Sequence, residues 1–459
     1  MKKIRLILGI LFIFLCIKGT AQKKYELSVK EAVDLAYKNV IELKNAQLDY
    51  QIQEAKNRQI LGQALPQVTG SAGASYYLKL PVVLFPQSDQ SVYNVLIREG
   101  LLPSTAKAPA PVFVPFSFQQ PWNVNFGGTL SQLLFQPDVF VGLQARQTSL
   151  DYNKALIEQS QDKIKDSAYN RYYAILIAEK QLHFLDAGLL RLQKLYHDDS
   201  LMFKNGFIEH LDLDKVQVQL NNLQTTETVV ANAVNLSYAA LKFSLGLSQK
   251  DTVVLKEDLS IENLKSGILD DNFKYEDRPE IRTLNTLHHL QELDIKRNKL
   301  SFLPTVSASA NYTVNGMGQK FFTDPGTLWF KSSFVGLNIN LPLFTGFQRK
   351  YKIVESELTL KKVQNNLEFA KQGIDLEQVI TKESLKNSLL NLDIQERNLV
   401  LAEKVYNTTK LKFEQGLGSS FEVLQADTDY QTAQSNYFNA LYNATVAKTG
   451  YLHSLGKLQ

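Results

Sequence analysis

Cysteine is almost absent from this chain of 459 residues, because Cys16 is the only one. A single cysteine cannot form an intramolecular disulfide or a thiolate cluster for a metal. The six histidines show no HExxH spacing, and the chain has no glycine-rich phosphate loop and no nucleophile elbow. The sequence therefore predicts a protein that is not an enzyme and that needs no metal or cofactor.

Proline is missing from two long stretches, 138–278 and 343–459. Because proline breaks helices, these stretches have room for unusually long ones. Leucines recur at helical spacing in both, which is typical of amphipathic or coiled-coil packing. We predict two ascending helices of about 100 Å at a rise of 1.5 Å per residue, each followed by a returning helix. The predicted ranges are 135–206 and 209–245 in one half, and 344–416 and 420–455 in the other. A further helix is predicted over 27–65, capped by Ser28 with Glu31 three residues on and ended by Pro66.

A long apolar run occurs only at the start of the chain. Basic residues at positions 2, 3 and 5 precede an apolar run over 6–17, and small residues follow at 19–21. This order is typical of a secretory signal peptide over 1–21. A membrane anchor is the alternative, although a spanning helix needs about 20 apolar residues. Without the four basic residues of 1–21 the formal charge of +4 falls to zero, so no nucleic-acid partner is predicted.

The stretch 203–220 recurs 210 positions later, which indicates an internal repeat. Other pairs keep a fixed offset: Gly206 with Gly416 and Gly246 with Gly456 at 210, Leu65-Pro66 with Leu303-Pro304 at 238, and Leu134-Phe135 with Leu343-Phe344 at 209. The change in offset indicates about 29 extra residues in the first half. We predict a signal peptide (1–21), a first repeat (22–246), a linker (247–277) and a second repeat (278–459).

Four segments alternate apolar with small or hydroxylated residues, which is typical of strands with one apolar and one polar face. They cover 67–80, 122–131, 305–315 and 333–343. A strand that spans a bilayer needs about 9–11 residues with this alternation. An ordinary sandwich sheet is the alternative. Pro66 and Pro304 mark where two strands begin, and Phe135 and Phe344 mark where the other two end.

The extra residues of the first half fall in a long loop over 81–121, which holds seven of the chain's 13 prolines. A loop of this length without its own secondary structure is usually functional or mobile. Its two apolar pieces, 82–85 and 112–116, either line the mouth of a pore or pack against the rim of a barrel.

Four strands cannot close a barrel, and an open sheet edge cannot face lipid because its amides and carbonyls would lack partners. The chain must therefore contribute its strands to an oligomer. Two copies give eight strands, a barrel filled by its own side chains, whereas three give 12 and a wider lumen.

Taken together, these features resemble the TolC family of outer-membrane efflux and secretion channels, over essentially all of the chain after residue 21. The resemblance rests on the paired Leu-Pro and Leu-Phe dipeptides, the two glycine turns, their duplicated order and the segment LPLFTG at 341–346. It implies a mixed α and β membrane protein. In this fold a homotrimer forms a 12-stranded β-barrel and a long α-helical coiled-coil barrel in the periplasm.

The resemblance also implies a function and partners. The chain would conduct substrates passively from the periplasm to the exterior, as the outer-membrane channel of a tripartite efflux or type I secretion system. Its partners would be two further copies, a periplasmic adaptor (a membrane fusion protein), an inner-membrane pump and outer-membrane lipid. A periplasmic coiled-coil scaffold or adaptor without a pore is the alternative, and the sequence leaves the cargo open.

The family closes its tunnel at the periplasmic tip, and the resemblance assigns candidate residues there. Glu422 would form an acidic ring at the constriction, although an acid at a helix start is also favoured by the helix dipole alone. Gln425 replaces a second family acid. Asp212 is the counterpart in the first repeat, either a helix-start acid or a link to a neighbouring helix. Phe413 and Gly418 replace the tyrosine and arginine of the family's lock.

Closure of the gate would then rest on apolar packing of Phe413 and Leu417. The tips of the two helical hairpins are the expected contacts of the adaptor: Asn205, Gly206, Phe207, Gln415, Gly416 and Leu417. A glycine that only ends a helix is the simpler role for Gly206 and Gly416.

Overall fold

The computed structural model describes residues 23–87, 90–107, 110, 112–257, 264, 273–321 and 325–458. The predicted signal peptide and much of the predicted linker lie outside the described residues. The chain divides into two compact units. We call Met1–Glu54, Gln147–Gln291 and Leu358–Gln459 the helical unit, and Ala55–Arg146 and Glu292–Glu357 the sheet unit.

Helices dominate the described chain. In order they are α1 (Val29–Asn39), α2 (Ile41–Gln63), α3 (Gln90–Arg98), α4 (Pro137–Lys204), α5 (His210–Ser244), α6 (Pro279–Leu300), α7 (Gln348–Glu414) and α8 (Ser420–Ser454). The strands are β1 (Lys24–Leu27), β2 (Gln67–Tyr76), β3 (Val83–Gln87), β4 (Val112–Phe116), β5 (Trp122–Phe135), β6 (Thr252–Leu255), β7 (Thr305–Gly318) and β8 (Leu328–Asn340).

The long helices are confirmed. α4 and α7 contain 68 and 67 residues, and α5 and α8 contain 35 each. At 1.5 Å per residue, α4 and α7 are each about 100 Å long. No helix among the described residues is both long enough and apolar enough to cross a membrane.

The prediction of one continuous helix over 27–65 is wrong. The chain breaks at Val40, whose ψ of 126° is extended, so that α1 and α2 are separate helices. The predicted cap is confirmed: the Ser28 hydroxyl accepts from the Glu31 amide, and the Glu31 carboxylate accepts from the Ser28 amide. The break frees α1 to bury its apolar face in a core cluster of the helical unit, whereas Ile41 beyond it is 72% exposed.

The sheet unit contains a four-stranded antiparallel sheet in the order β2-β5-β7-β8. Its strands are 10, 14, 14 and 13 residues long. The register places polar residues opposite one another, as in the row Thr69, Thr129 and Asn311. Apolar residues likewise form rows on the other face, where Lys331 and Ser333 near one end of β8 are exceptions. The predicted alternation is confirmed, although β2 ends four residues early and β8 begins five residues early.

The prediction of a structureless loop over 81–121 is wrong. β3 pairs antiparallel with β4, and α3 lies between them in the chain. The two apolar pieces therefore pair with each other, because β-branched and aromatic residues suit a pleated pair of strands. The Phe85 ring lies 5.5 Å from that of Phe118 and 6.1 Å from that of Phe116. Parts of the connection, including 88–89 and 108–109, lie outside the described residues.

Candidate functional site

The hairpin tips of the helical unit are two copies of one turn. After α4, Gly206 has a φ of 77°, and after α7, Gly416 has a φ of 75°. The amides of Phe207 and Leu417 both donate to a carbonyl five residues back, at 2.9 Å. This helix ending requires a residue in the left-handed conformation, which glycine adopts without steric strain because it has no Cβ.

All six predicted tip residues are exposed, which leaves them available to a partner. The side chains of Phe207 and Leu417 are 76% and 75% exposed. Asn205 donates to the Leu201 carbonyl and is otherwise directed to solvent. Because exposed apolar side chains at a helix tip gain stability only when something covers them, these two residues fit a docking role. Contact between these tips and an adaptor stays a prediction.

The predicted constriction residues lie in the first turns of α8. Glu422 is exposed, and its amide donates to the Ser419 hydroxyl, which caps the helix. Its carboxylate lies 3.1 Å from where a Cβ at Gly418 would be, so glycine there leaves space for it. Gln425 is also exposed and donates to Asp429. Glu422 thus combines the helix-start role with free access to solvent.

Asp212 pairs with a lysine of its own helix. It lies in the first turn of α5 and accepts from Lys215 at 3.2 Å. The Lys215 ammonium lies 4.9 Å from the centre of the Phe421 ring on α8. Asp212 therefore lies at the helix start, as one of the two predicted roles has it, and the contact with α8 is made by Lys215.

Phe413 is half-buried against a group of residues that we call the tip cluster. The cluster comprises Leu192, Leu195, Val216, Leu223, Tyr406, Val423, Leu424, Ala426 and Tyr430. Phe413 thus fits the predicted apolar packing within one chain, while Leu417 is exposed. Gly418 has no side chain that could take the place of the family's arginine.

A buried ion pair beside the tip cluster was not predicted from the sequence. Arg191 on α4 donates through Nε to Asp427 on α8 at 2.9 Å, and Asp427 is only 1% exposed. The Arg191 guanidinium lies 5.5 Å from the ring centre of Tyr406 and 5.1 Å from that of Tyr430, and the two rings stack on each other. We call Arg191, Asp427, Tyr406 and Tyr430 the arginine clamp. It joins α4, α7 and α8.

Burial raises the pKa of Asp427, and Arg191 opposes that shift by favouring the carboxylate. Gln431 donates to the second carboxylate oxygen. One sequence signal was available, because Asp427 lies three residues from both Leu424 and Tyr430, in the middle of the buried face of α8. An acid in that position needs a partner.

A second buried acid, Asp199 on α4, also contacts α8. It is fully buried and accepts from the Ser420 hydroxyl at 2.6 Å. Burial raises the pKa of Asp199, and its Oδ1 has no hydrogen-bond partner among the described residues. Together with the arginine clamp, this bond fixes the first two turns of α8 to α4.

At its other end α8 carries a charged cluster around His453. The imidazole Nε2 lies 2.8 Å from Asp162 on α4, and Nδ1 lies 3.4 Å from Glu377 on α7. Arg278 also donates to Glu377, at 2.9 Å. Hydrogen bonds to these two acids raise the pKa of His453 to about 10. The histidine is therefore charged at neutral pH and holds three helices together.

Because of this cluster, we expect the stability of the folded chain to depend on pH. Because the pKa of His453 is about 10 in the folded chain and 6.5 without these partners, the stabilisation is complete below pH 6.5 and is lost as the pH rises toward 10. We expect the free energy of unfolding to fall with pH over this window, and His453→Gln to remove that slope. His183→Gln, at an exposed site on α4, is the control. An unchanged slope in His453→Gln would contradict the assignment.

The residues at the strand ends lie close to their predicted places. Pro66 and Pro304 each precede a strand by one residue, and Phe135 is the last residue of β5. Phe344 lies in the connection between β8 and α7, 75% exposed. Among the described residues, no group of three or more histidine, cysteine, aspartate or glutamate side chains could hold a metal ion.

The chain is similar to known outer-membrane proteins. Residues 276–456 match the family model described as outer membrane efflux protein. The predicted resemblance to outer-membrane efflux channels is confirmed. The outer membrane protein TolC of Vibrio cholerae is 19% identical over 345 residues, which are 73% of this chain and 77% of that protein.

Several solved structures share the fold. CusC, described as forming a transmembrane channel, superposes with a TM-score of 0.72 at 15% identity, covering 94% of this chain and 92% of that one. The CmeC outer membrane channel of Campylobacter jejuni gives 0.71 at 15% identity, covering 94% and 85%. VceC of Vibrio cholerae, an outer membrane protein, gives 0.68 at 14%, covering 93% and 96%. These three structures have the same mostly helical fold with a sheet as this chain.

Proposed function

We propose that this chain is the outer-membrane channel of a tripartite efflux or type I secretion system, and that it conducts substrates passively as a homotrimer. The four-stranded sheet carries the proposal. Its polar face holds rows of serine, threonine, asparagine and glycine, and none of the strand residues in those rows is charged. The apolar exceptions on this face are Leu133, Met317, Leu328, Phe330 and Phe334. A polar face toward a water-filled lumen and an apolar face toward lipid fit this arrangement.

The number of strands supports an oligomer. β2 and β8 each have a neighbour on one side only, and they are the two edges of the sheet. Three copies give 12 strands and a lumen wide enough to conduct. Tyr76, Trp122, Phe126 and Trp329 lie on the apolar face, which suits the aromatic belts of a membrane interface.

The long helices give independent support, because they expose apolar side chains at heptad spacing. On α5, Val229, Leu236 and Phe243 are 62%, 72% and 79% exposed. On α7, Phe369 and Leu376 are 77% and 61% exposed. A seven-residue repeat is the pattern of helices that pack side by side, so these stripes fit contacts between copies in a helical tunnel.

An internal duplication accounts for the matched halves, with the first repeat over 22–246, a linker over 247–277 and the second repeat over 278–459. Close glycine contacts recur in both. A Cβ on Gly246 would lie 2.8 Å from the backbone of Asn39, and one on Gly456 would lie 2.9 Å from that of Asp277. The two glycines keep the 210-residue offset of the repeat, and the two contacted residues keep the 238-residue offset.

The first test is the location and size of the assembled protein. We expect a heat-resistant trimer in the outer-membrane fraction, which captures an inner-membrane pump and a periplasmic adaptor when it is purified in mild detergent. The tip residues are the expected adaptor contacts, so Phe207→Ser with Leu417→Ser should reduce capture and leave the trimer intact. A soluble monomer in the periplasm would instead support the alternative function, a periplasmic coiled-coil scaffold or adaptor without a pore.

The role of Glu422 at the constriction can be tested by removing its charge. In a trimer, Glu422 contributes three carboxylates, and an acidic ring favours cations. We expect Glu422→Gln to lower the preference of the channel for potassium over chloride, measured as the reversal potential in a salt gradient. Glu414→Gln is the control, because it removes an exposed acid near the same tip. A reversal potential that changes equally in both variants would contradict the ring.

A further inference from the structure

The hairpin of β3 and β4 extends one end of the four-stranded sheet. α2 leads into β2 and β5 leads into α4, so both of these helices adjoin the other end. The Tyr77 amide donates to the Pro121 carbonyl at 2.8 Å, which continues the pairing of β2 with β5 by one step. Beyond this bond, β3 and β4 pair only with each other. In the proposed trimer, each copy therefore holds one such hairpin at the outer mouth of the barrel.

Both faces of this hairpin are apolar. Its register places Val83, Phe85 and Phe116 on one face and Leu84 and Phe113 on the other. These five side chains are between 46% and 61% exposed. The hairpin therefore lacks the alternation of apolar and polar residues that the four strands of the larger sheet show.

The aromatic rings of one face form a cluster that a single chain leaves open. The Phe116 ring lies 4.9 Å from that of Phe118 and 6.1 Å from that of Phe85. Phe118 is itself 64% exposed. Removing apolar surface of this size from water is favourable, so the cluster gains stability when another apolar surface covers it.

Neither water nor lipid suits the hairpin. A strand pair with one face in water has polar residues on that face, whereas residues 80–87 and 112–121 contain no charged side chain. Among the described residues, β3 and β4 form a sheet of two strands, and the open edges of such a sheet do not occur in hydrocarbon. Elements that bind at lipid headgroups have a strongly polar or charged face. An isolated hairpin is also only marginally stable, so a protein surface must support this one.

Other copies of the same hairpin provide such a surface. With strands about 4.8 Å apart and tilted by about 40°, the wall of a 12-stranded barrel lies about 12 Å from its axis. β3 and β4 have five residues each, which span about 16 Å, so hairpins from three copies can meet at the axis. Pro86 and Pro115 lack the amide hydrogen that pairing at strand edges needs. Packing of apolar faces is therefore the contact that the hairpins can make.

We propose that the hairpins of three copies pack against one another through Val83, Phe85 and Phe116 and close the outer mouth of the channel. This inference rests on the proposed function, since it takes the trimer and the direction of the barrel from it. The packed hairpins form a gate at the exit, separate from the constriction at Glu422, and keep external solutes out of the lumen when they are closed.

A single cysteine tests the contact on the full-length chain, whose only native cysteine is Cys16. We expect Phe85→Cys to form disulfide-linked dimers within the trimer on mild oxidation, because the symmetry brings copies of this residue together. Single-channel current should be lost on oxidation and should return with a reductant. Leu337→Cys is the control, because this residue is 60% exposed on the apolar face of β8. It should neither crosslink nor change the current.

Weakening the apolar contact tests the gate without a crosslink. We expect Phe85→Ser combined with Phe116→Ser to keep the heat-resistant trimer and to lengthen the open periods of the channel in a planar bilayer. Val92→Ser is the matched control, because Val92 is 54% exposed on α3 in the same connection but lies outside the hairpin. Open periods that stay at the wild-type length in the double variant would contradict the gate.

Further results would overturn the inference while the proposed function stands. One is a conducting trimer in which Phe85→Cys does not crosslink, and another is a crosslink that leaves the current unchanged. Quenching of Phe113→Trp fluorescence by brominated lipid in vesicles, beyond that of the wild-type chain, would instead assign the hairpin to the membrane. A monomer without conductance would contradict both the gate and the proposed function.

Discussion

Replacing Arg191 with methionine is expected to lower the free energy of unfolding by about 3–5 kcal/mol, the usual cost of removing one partner from a buried ion pair. The substitution leaves the Asp427 carboxylate, which is 1% exposed, without its cationic partner, whose guanidinium lies beside the rings of Tyr406 and Tyr430. Denaturant unfolding of the purified protein, with the change in midpoint and slope recorded separately, measures the effect.

A double-mutant cycle separates the ion pair from simple loss of packing. Arg191→Met combined with Asp427→Leu replaces both charges with apolar side chains, and such a replacement is often close to neutral. We therefore expect the double variant to be more stable than Arg191→Met alone. Lys410→Met is a control, because its pair with Glu414 is exposed and should be worth under about 1 kcal/mol. Similar losses in the free energy of unfolding for Arg191→Met and Lys410→Met would contradict a stabilising role for the arginine clamp.

A lysine in place of Val335 should destabilise the assembled barrel by about 2–4 kcal/mol, the cost of a lysine on the lipid face near the bilayer midplane. Val335 lies near the middle of β8, opposite Ala310 on the apolar face, and is 84% exposed. In lipid its neighbours are hydrocarbon chains, where an ammonium group loses its hydration. Unfolding from lipid vesicles by denaturant measures the loss.

The matched control is Ser332→Lys, three residues away on the polar face of the same strand. In a water-filled lumen the ammonium group keeps its hydration, so stability should change little, and the reversal potential should shift toward anions. Equal destabilisation by the two lysines would contradict the assignment of the faces. It would favour a sheet that is buried on both sides, whereas no destabilisation by either lysine would favour a sheet that faces water on both sides.

Local patterns predicted the long helices and the strands, because both depend on nearby residues. The absence of proline allowed α4 and α7 to continue, and alternation set which residues of β7 and β8 share a face. The break at Val40 was missed since valine is tolerated inside helices, and only packing of α1 requires the turn. The pairing of β3 with β4 was missed because a proline-rich composition hid two short strands.

The arginine clamp depends on contacts that no local pattern shows. Arg191 and Asp427 are 236 residues apart in the chain, and only the packing of α4 against α8 brings them together. The resemblance to the family does not indicate the clamp either. It assigns the lock to the positions of Phe413 and Gly418, whereas the buried charges lie on α4 and α8. In this chain the clamp and the bond between Asp199 and Ser420 hold α8 at the tip.

The central claim is that the polar faces of several chains enclose a continuous water-filled pore. Single-channel recording of the purified oligomer in a planar bilayer tests it most directly. We predict stepwise conductance from heat-resistant trimers, lost when the trimers are dissociated before insertion, with a cation preference that Glu422→Gln reduces. A trimer that inserts into the bilayer without conductance, or a chain that stays a soluble monomer, would contradict the claim.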